Sequence, residues 1–418
     1  MSKIDALAKN KEEEQDSNLR SGRYQWFIVV FMGLVGMVDN NLNLMENVAI
    51  PYILDEFSME ATEFALIQAL FGIVTFAVFF LAWFFDAFGR KKGVLVLMLV
   101  MGIPALLIVF LSQNVFLFFI WYSIVITATL SNTWEVVVSE ESPAKKRGLY
   151  GGIATLVSLL PLYAILGVRI ADGLGWRWTY GIFGIIVLVL LIPWCKLKET
   201  QRWTDNHAKR DHEKLKIKKA IKSLNKKDWT YILICTLVYG LWTISFKLGS
   251  SWGGYYYLSV RTEYAAQWST ILLIGGLLIL VGALTSGVIM DKISRKVTLI
   301  VGCVGSVLSF TFLGLTGSPI AFWCAYFFFP IVFTWIMVYF SEVFRTEIRS
   351  TAIGIAATGV RISYVLGPLL ASALLATFPT MEMFWIIGGL FMIIPLFSLL
   401  LKPYETKGKT LEEIQEER

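Results

Sequence analysis

Chemistry in this sequence has to come from a few ionisable and amide side chains set inside long apolar runs. The first group is Asp39-Asn40-Asn41, followed by Asn43 and Glu46, an unusually polar turn within residues 24–48. The second is Arg361, the one charge within 351–374. A charge in the middle of an apolar span is expensive to keep and is a functional candidate by default. At about 1.5 Å per residue, Asp39 lies roughly 22 Å and Arg361 roughly 15 Å from the cation-rich ends of their spans. An Asp there can load and release a proton. An Arg there keeps its charge when desolvated and offers a planar fork to a carboxylate. Glu135, near the end of 115–138, is a further carboxylate that could carry a proton. Glu46, Arg169 and Lys247 are expected near the opposite surface, where long side chains reach water cheaply.

Such a set binds and carries; it does not catalyse. No nucleophile–base pair stands out, and no phosphate loop of the Gly-Lys-Ser/Thr kind occurs, so neither an enzyme nor ATP-driven transport is expected. His207 and His212 both fall in one polar stretch, so no histidine is available as a proton carrier inside the apolar runs. Cys195, Cys235, Cys303 and Cys324 are scattered, with no ligand spacing and no disulfide pattern. No cofactor and no metal is expected.

The elements that position these side chains are helices in a bilayer. Of 418 residues 56% are hydrophobic and only 16% charged, against about 25% charged in an ordinary soluble domain. Runs such as 93–111 and 383–401 are long enough to cross a hydrocarbon core of about 30 Å. Twelve spans are predicted, at 24–48, 64–85, 93–111, 115–138, 150–170, 176–195, 229–248, 265–290, 297–315, 319–340, 351–374 and 381–401. No cleavable leader is evident before the first of them. The fold class is an all-α membrane protein, with twelve transmembrane helices in two six-helix pseudo-symmetric bundles. The boundaries are a tail at 1–23, bundles at 24–195 and 229–401, a linker at 196–228 and a tail at 402–418.

Orientation follows from the cations. The segments assigned to one side hold 32 of the 37 Lys and Arg, leaving Arg169, Arg177, Lys247, Arg261 and Arg361. That side is expected to be cytoplasmic, with both termini on it. In the linker Ile217, Ala220, Ile221 and Leu224 share a helical face ringed by Lys214, Lys218, Lys219 and Lys222. Two readings stay open there, an amphipathic helix on anionic lipid and a solvated connection. The cations flank membrane spans and suffice as topology signals, so the net charge of +6 does not ask for a nucleic-acid partner.

Two loops occur twice, in the same order. Asp86-Ala-Phe-Gly89-Arg90-Lys91-Lys92 returns as Asp291-Lys-Ile-Ser294-Arg295-Lys296, with Ser294 where the second glycine would stand. Glu140-Glu-Ser-Pro-Ala-Lys-Lys-Arg147 returns as Glu342-Val-Phe-Arg-Thr-Glu-Ile-Arg349, with the same Glu-to-Arg spacing. Repeated apolar helices joined by such loops are the sequence form of a two-half transporter.

These loops resemble signatures of the major facilitator superfamily. The tail Pro403-Tyr-Glu405-Thr406-Lys-Gly408 is similar to the ending of its sugar-porter and organic-ion (metabolite:proton symporter) branches, and Lys198-Glu199-Thr-Gln-Arg202-Trp203 to a motif after their sixth helix. The resemblance implies alternating access around a central cavity. It also implies a cytoplasmic gate drawn from Asp86, Gly89, Arg90, Glu140 and Arg147 in one half, and Asp291, Arg295, Glu342 and Arg349 in the other. Arg361-Ile-Ser-Tyr364-Val-Leu-Gly-Pro resembles the eleventh-helix pattern of organic-ion and aromatic-acid symporters, which implies Tyr364 beside Arg361 at a substrate anion. Asp39 is similar to an acidic position of those symporters. The sugar-porter branch instead implies Gln68, Asn132 and Trp335 as substrate contacts.

The leading expectation is a secondary transporter for a small organic anion. Substrate would be held by Arg361, Asn40, Asn43, Gln68, Trp335 and Tyr364, and protons carried by Asp39 or Glu135. It is expected to work as a monomer in the plasma membrane. The alternatives are a sugar or polyol porter or drug exporter of the same fold and, more remotely, a sensor that binds solute without moving it.

Overall fold

A computed structural model describes residues 20–129, 131, 133–143, 146–201, 203–204, 224–344, 349–401 and 404–406. The predicted linker helix lies outside them, as do Asn132 and most of both tails. Among the described residues, twelve helices are long and apolar enough to cross a membrane. They are α1 Gly22–Leu44, α2 Ala61–Phe85, α3 Arg90–Leu111, α4 Val115–Glu141, α5 Leu149–Leu174 and α6 Arg177–Trp194 in the first half. In the second they are α7 Lys226–Val260, α8 Thr262–Lys292, α9 Arg295–Thr316, α10 Pro319–Phe340, α11 Ala352–Thr377 and α12 Glu382–Leu400.

Local chemistry starts several of them. Asn225 caps α7 in a reciprocal box with Asp228, each side chain accepting from the other's backbone N–H at 2.8 and 3.0 Å. Asn114 accepts from Leu117 N to open α4. Ser318 caps α10, with Pro319 at its first position, where the missing N–H costs nothing. Leu, Ile, Val and Phe exposed along the outer faces, such as Phe80, Phe110, Leu308 and Leu400, are the lipid-facing surface.

In the first half α3 packs on α6 and α4, and α1 on α5. In the second, α10 packs on α8 and α9, and α9 on α12. The halves meet where α2 crosses α11, α1 meets α7, and α5 meets α8. The repeated loops and both described chain ends lie on one face, hereafter the motif face; the opposite one is the far face.

Four interruptions shape the centre. α1 turns at Met45 and continues as a helix over Glu46–Glu56. α4 is regular over Val115–Ala128, breaks at Thr129 and resumes over Thr133–Glu141. α11 breaks at Arg361-Ile362, between Arg349–Val360 and Ser363–Thr377. α7 runs on past Ser251 through a short turn and a widened stretch, Tyr256–Val260. The sequence predicts its end at 248, before the Gly- and Ser-rich run 249–254. Packing overrides that propensity: Gly254 lies so close to α1 that a Cβ would sit 2.1 Å from the Asn47 carbonyl oxygen. Pro51, four residues on, has no N–H to give that carbonyl.

Candidate functional site

The extra lengths of α1 and α7 move two charges. Glu46 lies ten residues before the end of α1's continuation and Lys247 thirteen before the end of α7, roughly 15 and 20 Å of helix. The expected placement of both near a surface is therefore wrong. Glu46 is 2% exposed and Lys247 4%, and they pair at 3.0 Å across the boundary between the halves. Lys247 Nζ also donates to Asn43 Oδ1 at 3.2 Å.

Glu46 is the hub of this region. Its Oε1 accepts from Gln68 Nε2 at 2.7 Å and from the Tyr122 hydroxyl; its Oε2 accepts from Lys247 and the Ser251 hydroxyl. A buried carboxylate survives only if its lone pairs are used, and here four donors from α2, α4 and α7 use them. Beside it lies a small cavity of about 20 Å³, with Gln68, Thr75, Ser123, Lys247 and Tyr364 set among Phe71, Phe119, Ile126 and Pro368 in its wall.

A larger cavity of about 60 Å³ lies between the halves, lined mainly by Trp242, Phe246, Phe329, Phe333, Tyr326 and Phe310, with Asn40, Asn43 and Ser250 as its polar points. The aromatics come from α7, α9 and α10. Trp242 stacks on Phe246 and Phe333 with centroids 4.9 and 4.8 Å apart, and its Nε1 donates to the Phe329 carbonyl at 3.0 Å. Asn40 Nδ2 donates to the carbonyl and hydroxyl of Ser158, both at 3.2 Å.

Of the residues expected at the substrate, Asn40 and Asn43 line the larger cavity, and Gln68 and Tyr364 the smaller. Arg361 lines neither. It is 3% exposed, donates to the Thr129 carbonyl at 2.9 Å and lies 4.9 Å over the Tyr364 ring. It therefore caps the broken end of α4's first segment, where a cation is favoured by the helix dipole. Trp335 stacks on Tyr339 at 4.6 Å within α10 and lines neither cavity. Asp39 is buried at 1% exposure. Glu135, half-buried, lies in the second segment of α4.

At the motif face each half closes on a carboxylate cluster. Arg90 bonds Glu140 through Nε and Nη2, the latter at 2.8 Å, and gives Nη1 to the Phe85 carbonyl at 3.0 Å. Glu199 Oε1 accepts from the backbone N–H of Arg90 at 2.5 Å and of Lys91 at 3.3 Å, at the N-terminus of α3. Thr200 Oγ1 donates to Glu140 at 2.6 Å. The second half repeats this. Arg295 bonds Glu342 at 2.8 Å, Asp291 at 3.3 Å and the Met290 carbonyl at 2.7 Å; Glu405 accepts from Arg295 N at 3.0 Å, and Thr406 donates to Glu342 at 2.5 Å. These bonds hold helix ends together within a half. The side chains of Asp86, Arg147 and Arg349 lie outside the described residues. Glu199, Thr200, Glu405 and Thr406 were not counted as cluster residues in the sequence; their signal was a third repeat, the Glu-Thr pair after the sixth and twelfth helices.

The profile of the Major Facilitator Superfamily matches residues 29–339. This chain belongs to that superfamily. Within it, the chain is 26% identical over 378 residues to the glucose transporter GlcP of Staphylococcus epidermidis, covering 79% of this chain and 83% of that one. It is 28% identical to the putative metabolite transport protein YwtG of Bacillus subtilis, covering 79% and 81%. Among solved structures it is similar to the proton:xylose symporter XylE bound to 6-bromo-6-deoxy-D-glucose, with TM-score 0.68, 17% identity, and 95% of this chain and 99% of that one covered. An inward-open conformation of XylE from E. coli gives TM-score 0.63 at 19% identity, covering 94% and 99%. As a superfamily member with this fold, the protein is a multi-pass membrane transporter of a small molecule and not an enzyme.

Proposed function

We propose that this facilitator carries a neutral polyhydroxylated solute, a sugar or polyol, together with a proton. The observation that carries this reading is the lining of the larger cavity: aromatic faces with two amides and a hydroxyl, and no cation among its described lining residues. Aromatic rings pack against the C–H faces of a sugar ring, while amides both donate to and accept from its hydroxyls. Arg361, the group first expected to hold an anion, is spent on the α4 carbonyl, so an anionic solute would have to displace it from the helix it caps. Three interior carboxyl groups, Asp39, Glu46 and Glu135, face two interior cations, Lys247 and Arg361. One bound proton balances that set, with Asp39 its carrier and Glu135 the alternative. The relatives named for glucose, metabolite and xylose transport agree with this reading. The motif face, which carries most Lys and Arg, is assigned to the cytoplasm and the protein to the plasma membrane.

The test is uptake by proteoliposomes under an inward proton gradient, with glucose, xylose, a polyol and a set of carboxylates compared. The expected result is gradient-driven accumulation of a neutral solute, lost in Asp39→Asn while exchange persists. Accumulation of a carboxylate alone, weakened in Arg361→Lys, would overturn the neutral-solute reading and restore the anion one.

A further inference from the structure

We infer that Glu46 is a second proton-binding site, and that loading it releases the far-face contact between the two halves. The inference does not depend on which solute the protein carries.

The argument rests on how the four donors on Glu46 divide. Gln68 and Tyr122, on Oε1, belong to the same half as Glu46. Lys247 and Ser251, on Oε2, belong to the other half. Alternating access requires the halves to separate on this side at some point in the cycle. When they do, Oε1 keeps both partners and Oε2 loses both at once. A carboxylate left with one bare oxygen in an apolar interior pays a desolvation cost that its attraction to Lys247 no longer offsets. A proton arriving on Oε2 from far-side water removes that cost, so separation and protonation favour each other. Lys247 leaves the pair but keeps the Tyr364 ring of its own half, 5.3 Å away.

The pair sits within the contact it would control. One residue on from Glu46, Asn47 accepts from Gly254 N at 3.0 Å and donates to the Tyr326 hydroxyl, both in the second half. Nearer the far face Ser372 of α11 donates to the Thr62 carbonyl of α2 at 2.8 Å. Neutral bonds of this kind are modest in net worth; the ion pair is the member of the group that a proton can switch. The polar and titratable groups facing Glu46 are Asn43 on α1, Gln68 on α2, Tyr122 on α4, Tyr180 on α6, Lys247 and Ser251 on α7, and Tyr364 on α11. Of these, Lys247 carries the opposite charge.

The test reads conformation with no solute present, so failure of the uptake experiment leaves it intact. Spin labels at Glu60→Cys and Thr380→Cys, exposed far-face positions in opposite halves, are placed in the full chain with its four native cysteines replaced. Pulsed dipolar distances are measured in nanodiscs from about pH 5 to about pH 9. The separated population should grow as pH falls, by up to about tenfold in ratio per pH unit for a single proton. Glu46→Gln should abolish the dependence, and Asp39→Asn should retain it. Ser251→Ala, a milder change, strips one of the two donors lost on opening and should move the midpoint to higher pH. A wild-type ratio that is flat with pH, a full pH response in Glu46→Gln, or a Ser251→Ala midpoint that stays or falls would each overturn the assignment.

Discussion

The two motif-face clusters make the same bonds from partly different residues. In each half an Arg opens a helix, bonds a Glu at the end of the next helix, and reaches the carbonyl five residues behind it. In each half a Glu-Thr pair closes the set, the Glu on the helix N-terminus and the Thr on the partner carboxylate. They differ at the turn. Gly89 has φ +101°, and a Cβ there would meet the Glu199 carboxylate at 2.2 Å. Ser294 has φ −177°, extended backbone open to any residue, and its hydroxyl donates to Glu405 at 2.7 Å. What the repeat preserves is therefore the carboxylate hub. The glycine is needed only where the chain turns through positive φ.

The comparison is most severely tested at the arginines. Arg90→Ala and Arg295→Ala each remove one partner of a largely buried pair and should each cost about 3 kcal/mol or more. Thermal unfolding in detergent should show two large, similar drops, with slower initial uptake in both; a silent substitution in one half would break the equivalence. The turn residues should separate the halves. Gly89→Ala combines a strained φ with a blocked Cβ, and about 2–3 kcal/mol is expected. Ser294→Ala loses a cap and a bond to Glu405, about 1 kcal/mol. Equal melting shifts for the two would contradict the role given to positive φ. The smallest effect is expected at the threonines, where Thr200→Val and Thr406→Val keep shape and delete one hydrogen bond, about 1 kcal/mol each. Matched small shifts sharpen the comparison; a loss confined to Thr200 would mean that the second cluster is not energetically closed by Thr406.

Most of the fold could be read from the chain, because a bilayer demands long uncharged runs and the polar breaks between them are unmistakable. Boundaries failed where packing outweighed propensity, at the Gly- and Ser-rich end of α7. That error and the early end given to α1 hid the Glu46–Lys247 pair: residues 201 apart in sequence meet only if both helices extend well beyond the point where their composition turns polar. Arg361 was legible as an expensive charge, but its partner is a backbone carbonyl exposed by a break in α4, and no side chain announces that. The aromatic wall of the larger cavity was invisible for a different reason. In a chain with 30 Phe and 15 Trp, nothing local distinguishes Trp242 or Phe333 from a lipid-facing or packing aromatic.

The Glu-Thr closures also set an order in time. Arg90 and Glu140 leave the ribosome well before Glu199 and Thr200, the residues that tie their helices together. The first six helices can thus enter the membrane one by one yet gain their full motif-face bonding only when Thr200 has been made. From then on the described bonds around Glu140 are complete within the first half, while those around Glu342 must wait for Thr406. Synthesis therefore delivers one finished bundle to the membrane before the other exists, as chains that fold unit by unit do.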